Sequence, residues 1–277
     1  MSQATVSRRL PLLWLALHRR RRMLAALLIG MVVFETLIVV ITGTIPPTEL
    51  FGGGRTPPGA FKAFSGSSGD VSIASYPGLL GAGLTHPFWI ALQLTAIGSL
   101  GAAAVAADVE SGTIELLMTR PLSRRRLLAE RAAALAAASV LLNAAATVTV
   151  ALGVALSPDL RDAVPVGGVF AAGLLGCAFT LCVTGPVLAV SALSRRRAHV
   201  VGATVAFGAV GFALNFVALA WSPAAPLRYL SPFHYYTPGD ALAHGSVPWA
   251  SFAILCAVGL AGLAAAFVLL ERRDLAI

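Results

Sequence analysis

The chain has 277 residues, of which 57% are hydrophobic and only 12% are charged, and its mean hydropathy is +0.83. A soluble domain with this composition would have too few polar residues to cover its surface, so we predict a membrane protein. The net charge of +8 does not indicate binding to nucleic acid, because the arginines lie in short loops between apolar runs. Anionic membrane lipids are the better partner for these arginines.

The N-terminal segment, residues 1–22, combines a short apolar stretch with arginines at both of its ends. This pattern is typical of a helix that lies in the headgroup region on the cytoplasmic side. A disordered basic tail is the alternative, and Trp14 with its neighbouring leucines disfavours it. The apolar run that follows, residues 23–42, is as long as a full span and no cleavage site follows it, so we interpret it as a retained anchor.

Residues 23–277 form the predicted transmembrane domain, in which each apolar run is long enough to cross about 30 Å of hydrocarbon as a helix. Six such runs lie at residues 23–42, 88–107, 132–156, 166–190, 200–221 and 248–270. Six spans place both termini on one side of the membrane, and sixteen of the 20 basic residues fall on that side. The others are Arg55, Lys62, Arg161 and Arg228. By the positive-inside rule, both termini are cytoplasmic.

Two longer segments fall on the predicted outer side. Residues 43–86 are rich in proline, glycine and serine, which favours turns and extended chain over a packed domain. Residues 222–247 contain three of the four tyrosines, which suits a re-entrant or interfacial hairpin or, equally, an ordinary aromatic belt. Trp89, Trp221 and Trp249 fall at the outer ends of predicted spans, where a half-wet interface favours indole rings.

A charged segment, residues 108–131, separates the second and third runs and holds five arginines and four acidic residues. A turn signal at residues 110–113 precedes a predicted short helix, residues 114–119, which Pro121 ends. Ser123 is predicted to N-cap the next helix, which would begin at Arg124. The pattern therefore predicts a short helix that lies across the end of a helical hairpin.

This segment resembles the cytoplasmic loop of ABC type-2 permeases, whose pattern is an acidic residue, Gly-Thr, leucines, Pro and Ser-Arg. The matching positions, with Ile114 inside them, are Glu110, Gly112, Thr113, Glu115, Leu116, Leu117, Pro121, Ser123 and Arg124. Asp108 and Arg131 are mild departures, since glutamate and lysine are usual there. The specific resemblance is confined to residues 108–131.

The resemblance implies an all-α membrane protein of the type V ABC exporter fold, with an elbow helix in residues 1–22 and six transmembrane helices, in the cytoplasmic membrane of a prokaryote. The loop would be a coupling helix that contacts a separate ABC ATPase subunit. A second contact is implied at Ser194, Arg195, Arg196 and Arg197, for which a simple topology signal is the alternative. A second permease subunit, identical or paralogous, would complete the pathway, and short helices in residues 222–247 would cap it.

No enzymatic constellation is found in the sequence. Lys62 is the only lysine and lies in no phosphate-binding loop, so this chain is not the ATPase, and ATP and Mg²⁺ are expected in the partner ATPase. The five histidines are scattered, so we predict no catalytic residue, metal site or cofactor in this chain.

Glu35 is the only acidic residue inside a predicted span. It either lines the transport path and favours cationic or hydrogen-bond-donating substrates, or is a protonated structural residue bonded to an amide such as Gln93 or Asn143. Asn215 is the fourth polar candidate for the path. We interpret the chain as the permease subunit of an ATP-driven exporter, with lipophilic drugs, antibiotics or lipid-like molecules as family-level substrates. The alternative is an ion-coupled secondary transporter with Glu35 as the proton or cation site.

Overall fold

The computed structural model describes residues 11–50, 71–114 and 123–273, and within these ranges the chain is helical and contains no β-strand. The all-helical prediction is therefore confirmed for this part of the protein. A 3-10 helix spans Ser222–Leu230. The α-helices are α1 (Pro11–Arg19), α2 (Arg21–Thr44), α3 (Pro47–Leu50), α4 (Tyr76–Thr85), α5 (Pro87–Ala102), α6 (Ala106–Glu110), α7 (Arg124–Leu156), α8 (Pro158–Ala163), α9 (Val166–Leu193), α10 (Arg197–Ala220), α11 (Pro232–Tyr235), α12 (Pro238–His244) and α13 (Trp249–Arg272).

Five of these helices, α2, α7, α9, α10 and α13, are long and apolar enough to cross a membrane. They coincide with the first and the third to sixth predicted spans. The second predicted span is shorter than expected, because α5 ends at Ala102 after 16 residues, or about 24 Å. The hydroxyl of Ser191 accepts hydrogen bonds from the N–H groups of Val105 and Ala106 at the start of α6. The six-span count therefore stays a prediction.

The ends of the helices define two faces of the bundle. Helices α2, α7 and α10 begin at one end of the bundle, and α5, α9 and α13 finish there. We call this end the arginine-rich face. Hydrogen bonds between these ends hold them together: Arg20 at the start of α2 donates to Ser99 near the end of α5, and Arg273 after α13 donates to Ala192 in the last turn of α9. The short helices α4, α8, α11 and α12 lie toward the other end, which we call the opposite face.

Helix α9 is the centre of the bundle and packs against α5, α7, α10, α12 and α13. Its closest partner is α13, because glycines let the two backbones touch. Gly185 on α9 faces the backbone of Gly259, and a Cβ atom on Gly259 would lie 2.6 Å from the carbonyl oxygen of Leu181. Gly262 faces Pro186 in the same way. Small residues at such a crossing replace side-chain contacts with backbone contacts.

Helix α1 confirms that the N-terminal segment is helical from Pro11 to Arg19, whereas residues 1–10 lie outside the described ranges. It packs along the first turns of α7, where the Glu130 carboxylate accepts hydrogen bonds from the N–H groups of Leu12 and Leu13 at 2.8 and 3.3 Å. These bonds satisfy donors that a helix N-terminus leaves free. The location of α1 in the headgroup region stays a prediction.

The prediction of turns and extended chain for residues 43–86 is wrong at both ends, because α2 reaches Thr44, α3 spans Pro47–Leu50, and α4 is a ten-residue helix. Ser75 caps it by accepting a hydrogen bond from the N–H of Gly78 at 3.2 Å. Its glycines allow close packing, since Gly83 lies directly against Ile38 of α2. Residues 51–70 are outside the described part of the chain.

The aromatic segment, residues 222–247, consists of the 3-10 helix, α11 and α12, in agreement with the short helices that the resemblance implies. Its Tyr236 is buried and donates a hydrogen bond to the carbonyl oxygen of Leu84 in α4, at 3.2 Å. Trp89 stacks on Tyr236 with ring centroids 5.5 Å apart and is only 1% exposed, so its predicted place at a wet interface is wrong. Trp221 and Trp249 are exposed, as expected.

Candidate functional site

The family-like motif lies on the arginine-rich face, between α6 and α7. Glu110 is the last residue of α6, and residues 111–112 form the predicted turn. Ser123 caps α7 as predicted, with its hydroxyl accepting a hydrogen bond from the N–H of Arg126 at 3.2 Å. The predicted short helix, residues 114–119, with Glu115, Leu116 and Leu117, lies outside the described residues except for Ile114, as does Pro121.

Gly112 has the backbone conformation on which this turn depends. Its φ is +71°, a left-handed conformation that side chains with a Cβ branch disfavour strongly. Next to it, the hydroxyl groups of Ser111 and Thr113 lie 2.8 Å apart, and Thr113 also donates to a carboxylate oxygen of Asp108 at 3.3 Å. The turn is therefore closed by its own hydroxyl groups and tied back to α6.

Asp108 and Arg131 form a mostly buried ion pair behind the turn. Nη2 of Arg131 lies 3.1 Å from Oδ2 of Asp108, and the two side chains are 10% and 16% exposed. Nη1 of Arg131 donates at 2.6 Å to the carbonyl oxygen of Ala103, just after the last residue of α5. One guanidinium thus links the end of α5, the start of α6 and the first turns of α7.

Glu110 connects the motif to the second predicted contact, residues 194–197. Its carboxylate accepts a hydrogen bond of 2.8 Å from the backbone N–H of Arg197, the first residue of α10. A negative group at a helix N-terminus is stabilised by the free N–H groups and by the helix dipole. Arg195, Arg196 and Arg197 are exposed around this bond, and Ser194 is half-buried. The two predicted contact regions are therefore adjacent and bonded to each other.

Ile114 begins the apolar side of the motif. It is 1% exposed and packs in a small cluster with Leu12 of α1 and Leu127 of α7, against which Val109 also packs. Of the motif residues described, Ile114 therefore faces the protein, while Glu110, Thr113 and Ser123 are exposed. Movement of the turn would displace α1 and α7 with it.

Arg124, which its place in the motif assigns to the partner contact, also bonds within the chain. It is half-buried, and its Nη1 donates to the carbonyl oxygens of Leu270 and Arg273 at 3.3 and 2.6 Å. Arg273 in turn donates to the carbonyl oxygens of Ala192 and Ser194 at 2.6 and 3.1 Å. Cations bonded to the last carbonyl oxygens of a helix satisfy free acceptors and oppose the helix dipole. The ends of α9 and α13 are joined in this way to the start of α7.

Sequence reasoning missed the capping roles of Glu130, Arg131 and Arg273. Arg126 and Glu130 are four residues apart on α7 and form an ion pair of 2.9 Å, a spacing visible in the sequence. The bonds from Glu130 to α1 and from Arg273 to α9 have no comparable signal, because they join residues far apart in the chain.

The sequence profile of the family described as ABC-2 family transporter protein matches residues 18–275, nearly the whole chain. The chain belongs to the ABC-2 transporter family. No match is found among curated proteins. Membership of this family agrees with the helices of spanning length and places the turn around Gly112 in a membrane subunit of an ABC transporter.

The four polar residues predicted for the transport path of this ABC-2 chain are all buried, on α2, α5, α7 and α10. Glu35 and Gln93 are 0% exposed, and neither side chain has a hydrogen-bond partner among the described residues. The proposed bond from Glu35 to Gln93 or Asn143 is therefore not formed. Asn143 instead donates to the carbonyl oxygen of Ser139 at 2.8 Å. Asn215 is 7% exposed on α10 and bonds to none of the other three.

Glu35 and Gln93 lie near the aromatic residues beneath the opposite face. Glu35 is close enough to Tyr236 to interact with it electrostatically, and Gln93 is one helical turn from Trp89, which stacks on Tyr236. The indole N–H of Trp89 also lacks a partner within the described part of the chain. This group of buried polar atoms is closed to the surface, so it is not an open path in this conformation.

An apolar groove of about 270 Å³ opens between α7, α9 and α13. Its lining includes Cys177, Thr180, Leu181 and Cys256 but none of the four predicted path residues. Thr180 bonds to Asn143 at 3.4 Å and thereby lies between the groove and the buried polar residues. The groove and the buried polar group are thus separate features of the bundle.

Proposed function

We propose that the chain is the permease subunit of an ATP-driven ABC exporter in the cytoplasmic membrane of a prokaryote. A separate ATPase subunit, which holds ATP and Mg²⁺, would bind the arginine-rich face at residues 110–124 and 194–197. The observation that carries this proposal is the bond between Glu110 and Arg197, because it joins the two loops into one surface. Membership of the ABC-2 family supports the same assignment.

Displacement of the turn around Gly112 has three routes into the bundle. Glu110 is hydrogen-bonded to the start of α10, and Ile114 packs against α1. Arg131 connects α7 to the end of α5. Helix α7 has 33 residues, or about 50 Å, so it extends from the motif through the membrane to the opposite face. The ATPase would therefore switch the bundle between two states by its differential contacts with this surface.

A second permease subunit, an identical copy or a paralogue, would pair with this chain along its exposed apolar helices. Large hydrophobic residues are exposed along α2, including Ile29, Val33 and Leu37. Such a surface is suited to contact with lipid or with another membrane subunit, and it is unfavourable in water. Lipophilic drugs, antibiotics or lipid-like molecules are the proposed substrates, since the accessible groove is lined almost wholly by apolar atoms.

The test is purification of the tagged chain from native membranes in a mild detergent, followed by identification of copurifying P-loop ATPases and assay of ATP hydrolysis. Reversal of Glu110 would damage the chain's own bond to Arg197, so Glu115→Lys is the better variant. Asp159→Lys on α8, an exposed residue at the opposite face, is the matched charge reversal.

We expect the ATPase to copurify with the unmodified chain and with the Asp159→Lys variant. It should be lost from the Glu115→Lys variant. If no ATPase accompanies the unmodified chain while other membrane complexes remain intact, the exporter assignment is wrong. An ATPase retained equally by both variants would instead contradict the proposed contact surface.

A further inference from the structure

A groove of about 510 Å³ lies between α1, α2 and the middle of α7, beside the arginine-rich face. At one end it is lined by Trp14, His18 and Arg21, and at the other by Leu24, Leu28 and Leu141. Several of these residues, among them Trp14, Arg21 and Leu141, are exposed, so the groove opens on the outside of the bundle.

The groove changes from cationic to aliphatic along its length. Arg21 is the first residue of α2, and Leu28 lies seven residues further, about 10 Å along the helix axis. The rings of Trp14 and His18 stack with centroids 4.4 Å apart and form the wall on the α1 side. In the predicted orientation, the cationic end lies at the level of the lipid headgroups and the aliphatic end lies in the hydrocarbon.

The described residues do not neutralise the charge at the cationic end of the groove. Arg21 has no hydrogen bond or ion pair with any described residue, whereas its neighbour Arg20 donates to Ser99. The nearest acidic side chain on the adjoining part of α7, Glu130, is already bonded to the N-terminus of α1 and to Arg126. A ligand with an anionic head and an aliphatic tail would complement both ends of the groove.

We propose that the groove is a binding site for an anionic phospholipid. The phosphate group contacts Arg21 and His18, and one acyl chain lies along Leu24, Leu28 and Leu141. The bound lipid contacts α1, α2 and α7 together and so holds the N-terminal helix against the bundle. The site does not depend on the proposed transport function, because a lipid would occupy it whether or not an ATPase binds.

The first test measures binding of labelled phosphatidylglycerol to the full chain in nanodiscs of neutral lipid. Arg21→Gln removes the cation in the groove, and Arg22→Gln removes the adjacent exposed cation that does not line it. We expect Arg21→Gln to weaken binding about five- to tenfold, and Arg22→Gln to weaken it less than about twofold. Equal losses in the two variants would mean general attraction to a basic surface and would overturn the site.

The second test concerns the acyl chain. Ala25 is exposed and lines the groove, so Ala25→Phe fills it, whereas Ala26→Phe adds the same ring to an exposed position outside it. Long-chain phosphatidylglycerol should bind severalfold more weakly to Ala25→Phe than to Ala26→Phe, while soluble glycerophosphate binds weakly and equally to both. The proposal is wrong if the two variants bind the lipid alike. It is also wrong if a second copy of the chain fills the groove and no lipid binds there.

Discussion

The carboxylate of Glu110 accepts a 2.8 Å hydrogen bond from the backbone N–H of Arg197, across 87 residues of sequence. Arg196, the N-cap residue of α10, makes no side-chain cap of its own, so Glu110 supplies this cap from α6. A residue that the motif suggests for contact with a partner therefore also has a role inside the chain.

Glu110→Ala is expected to destabilise the protein by about 1 kcal/mol, as loss of a helix cap usually does. Glu110→Gln retains an acceptor oxygen, so its loss of stability should be clearly smaller. Thermal unfolding in detergent, followed by tryptophan fluorescence, measures both variants. Asp162→Ala on α8, an exposed acidic residue, is the control for loss of a negative charge. Equal shifts in all three variants would show that the bond to Arg197 contributes nothing.

Gly112→Val should impair coupling between ATP hydrolysis and export while the spans remain folded. Among the described atoms outside residues 111–113, none lies within 4 Å of the position of an added Cβ, so the cost is backbone strain at φ +71° of about 1–2 kcal/mol. Gly112→Asn should retain most activity, because asparagine tolerates this conformation. Substrate-stimulated ATPase activity in reconstituted vesicles distinguishes the variants, and normal stimulation in Gly112→Val would contradict the role of the turn.

The ion pair between Asp108 and Arg131 should contribute measurably to stability, unlike the pair between Arg125 and Glu271. The first pair is 16% and 10% exposed, and the second is 37% exposed at Glu271 and 75% at Arg125. A double-mutant cycle with Asp108→Asn and Arg131→Met is expected to give a coupling energy of about 1.5–3 kcal/mol. The same cycle on the exposed pair should give no significant coupling, because solvent screens it. Similar values for the two pairs would refute this distinction.

Glu35→Met should raise the free energy of unfolding by about 1–3 kcal/mol. Both carboxylate oxygens of Glu35 are buried without a partner among the described residues, and the substitution removes this desolvation cost while preserving most of the volume. Gln93→Met is the parallel test on α5. Chemical unfolding in mixed micelles provides the measurement. A loss of stability in Glu35→Met would indicate a partner for the carboxylate, such as bound water.

Export assays on the same residue test its role in the path. If Glu35 contacts the substrate, Glu35→Gln should reduce export of cationic compounds more than that of neutral ones at equal expression. Unchanged export of every cation would leave Glu35 with a purely structural role.

The positions of the long helices and the cap at Ser123 were predictable, because apolar length and local hydrogen bonding are encoded in neighbouring residues. The early end of α5 was not, since the chain that follows it is bonded to Ser191, some ninety residues away. Trp89 was wrongly predicted to lie at an interface, because its burial depends on contact with Tyr236, which is distant in the sequence. In the candidate site, the motif identified the turn, but only the tertiary structure shows that Arg124 is bonded to the end of α13.

The glycine contacts between α9 and α13 restrict how this bundle can change shape. With the backbones of Gly185 and Gly259 in direct contact, rotation of either helix about its own axis would drive side chains into carbonyl groups of the other. The two helices are therefore expected to move as one rigid body. A rearrangement that opens a passage has to occur where side chains intervene, as between α5 and α10 or between α2 and α7.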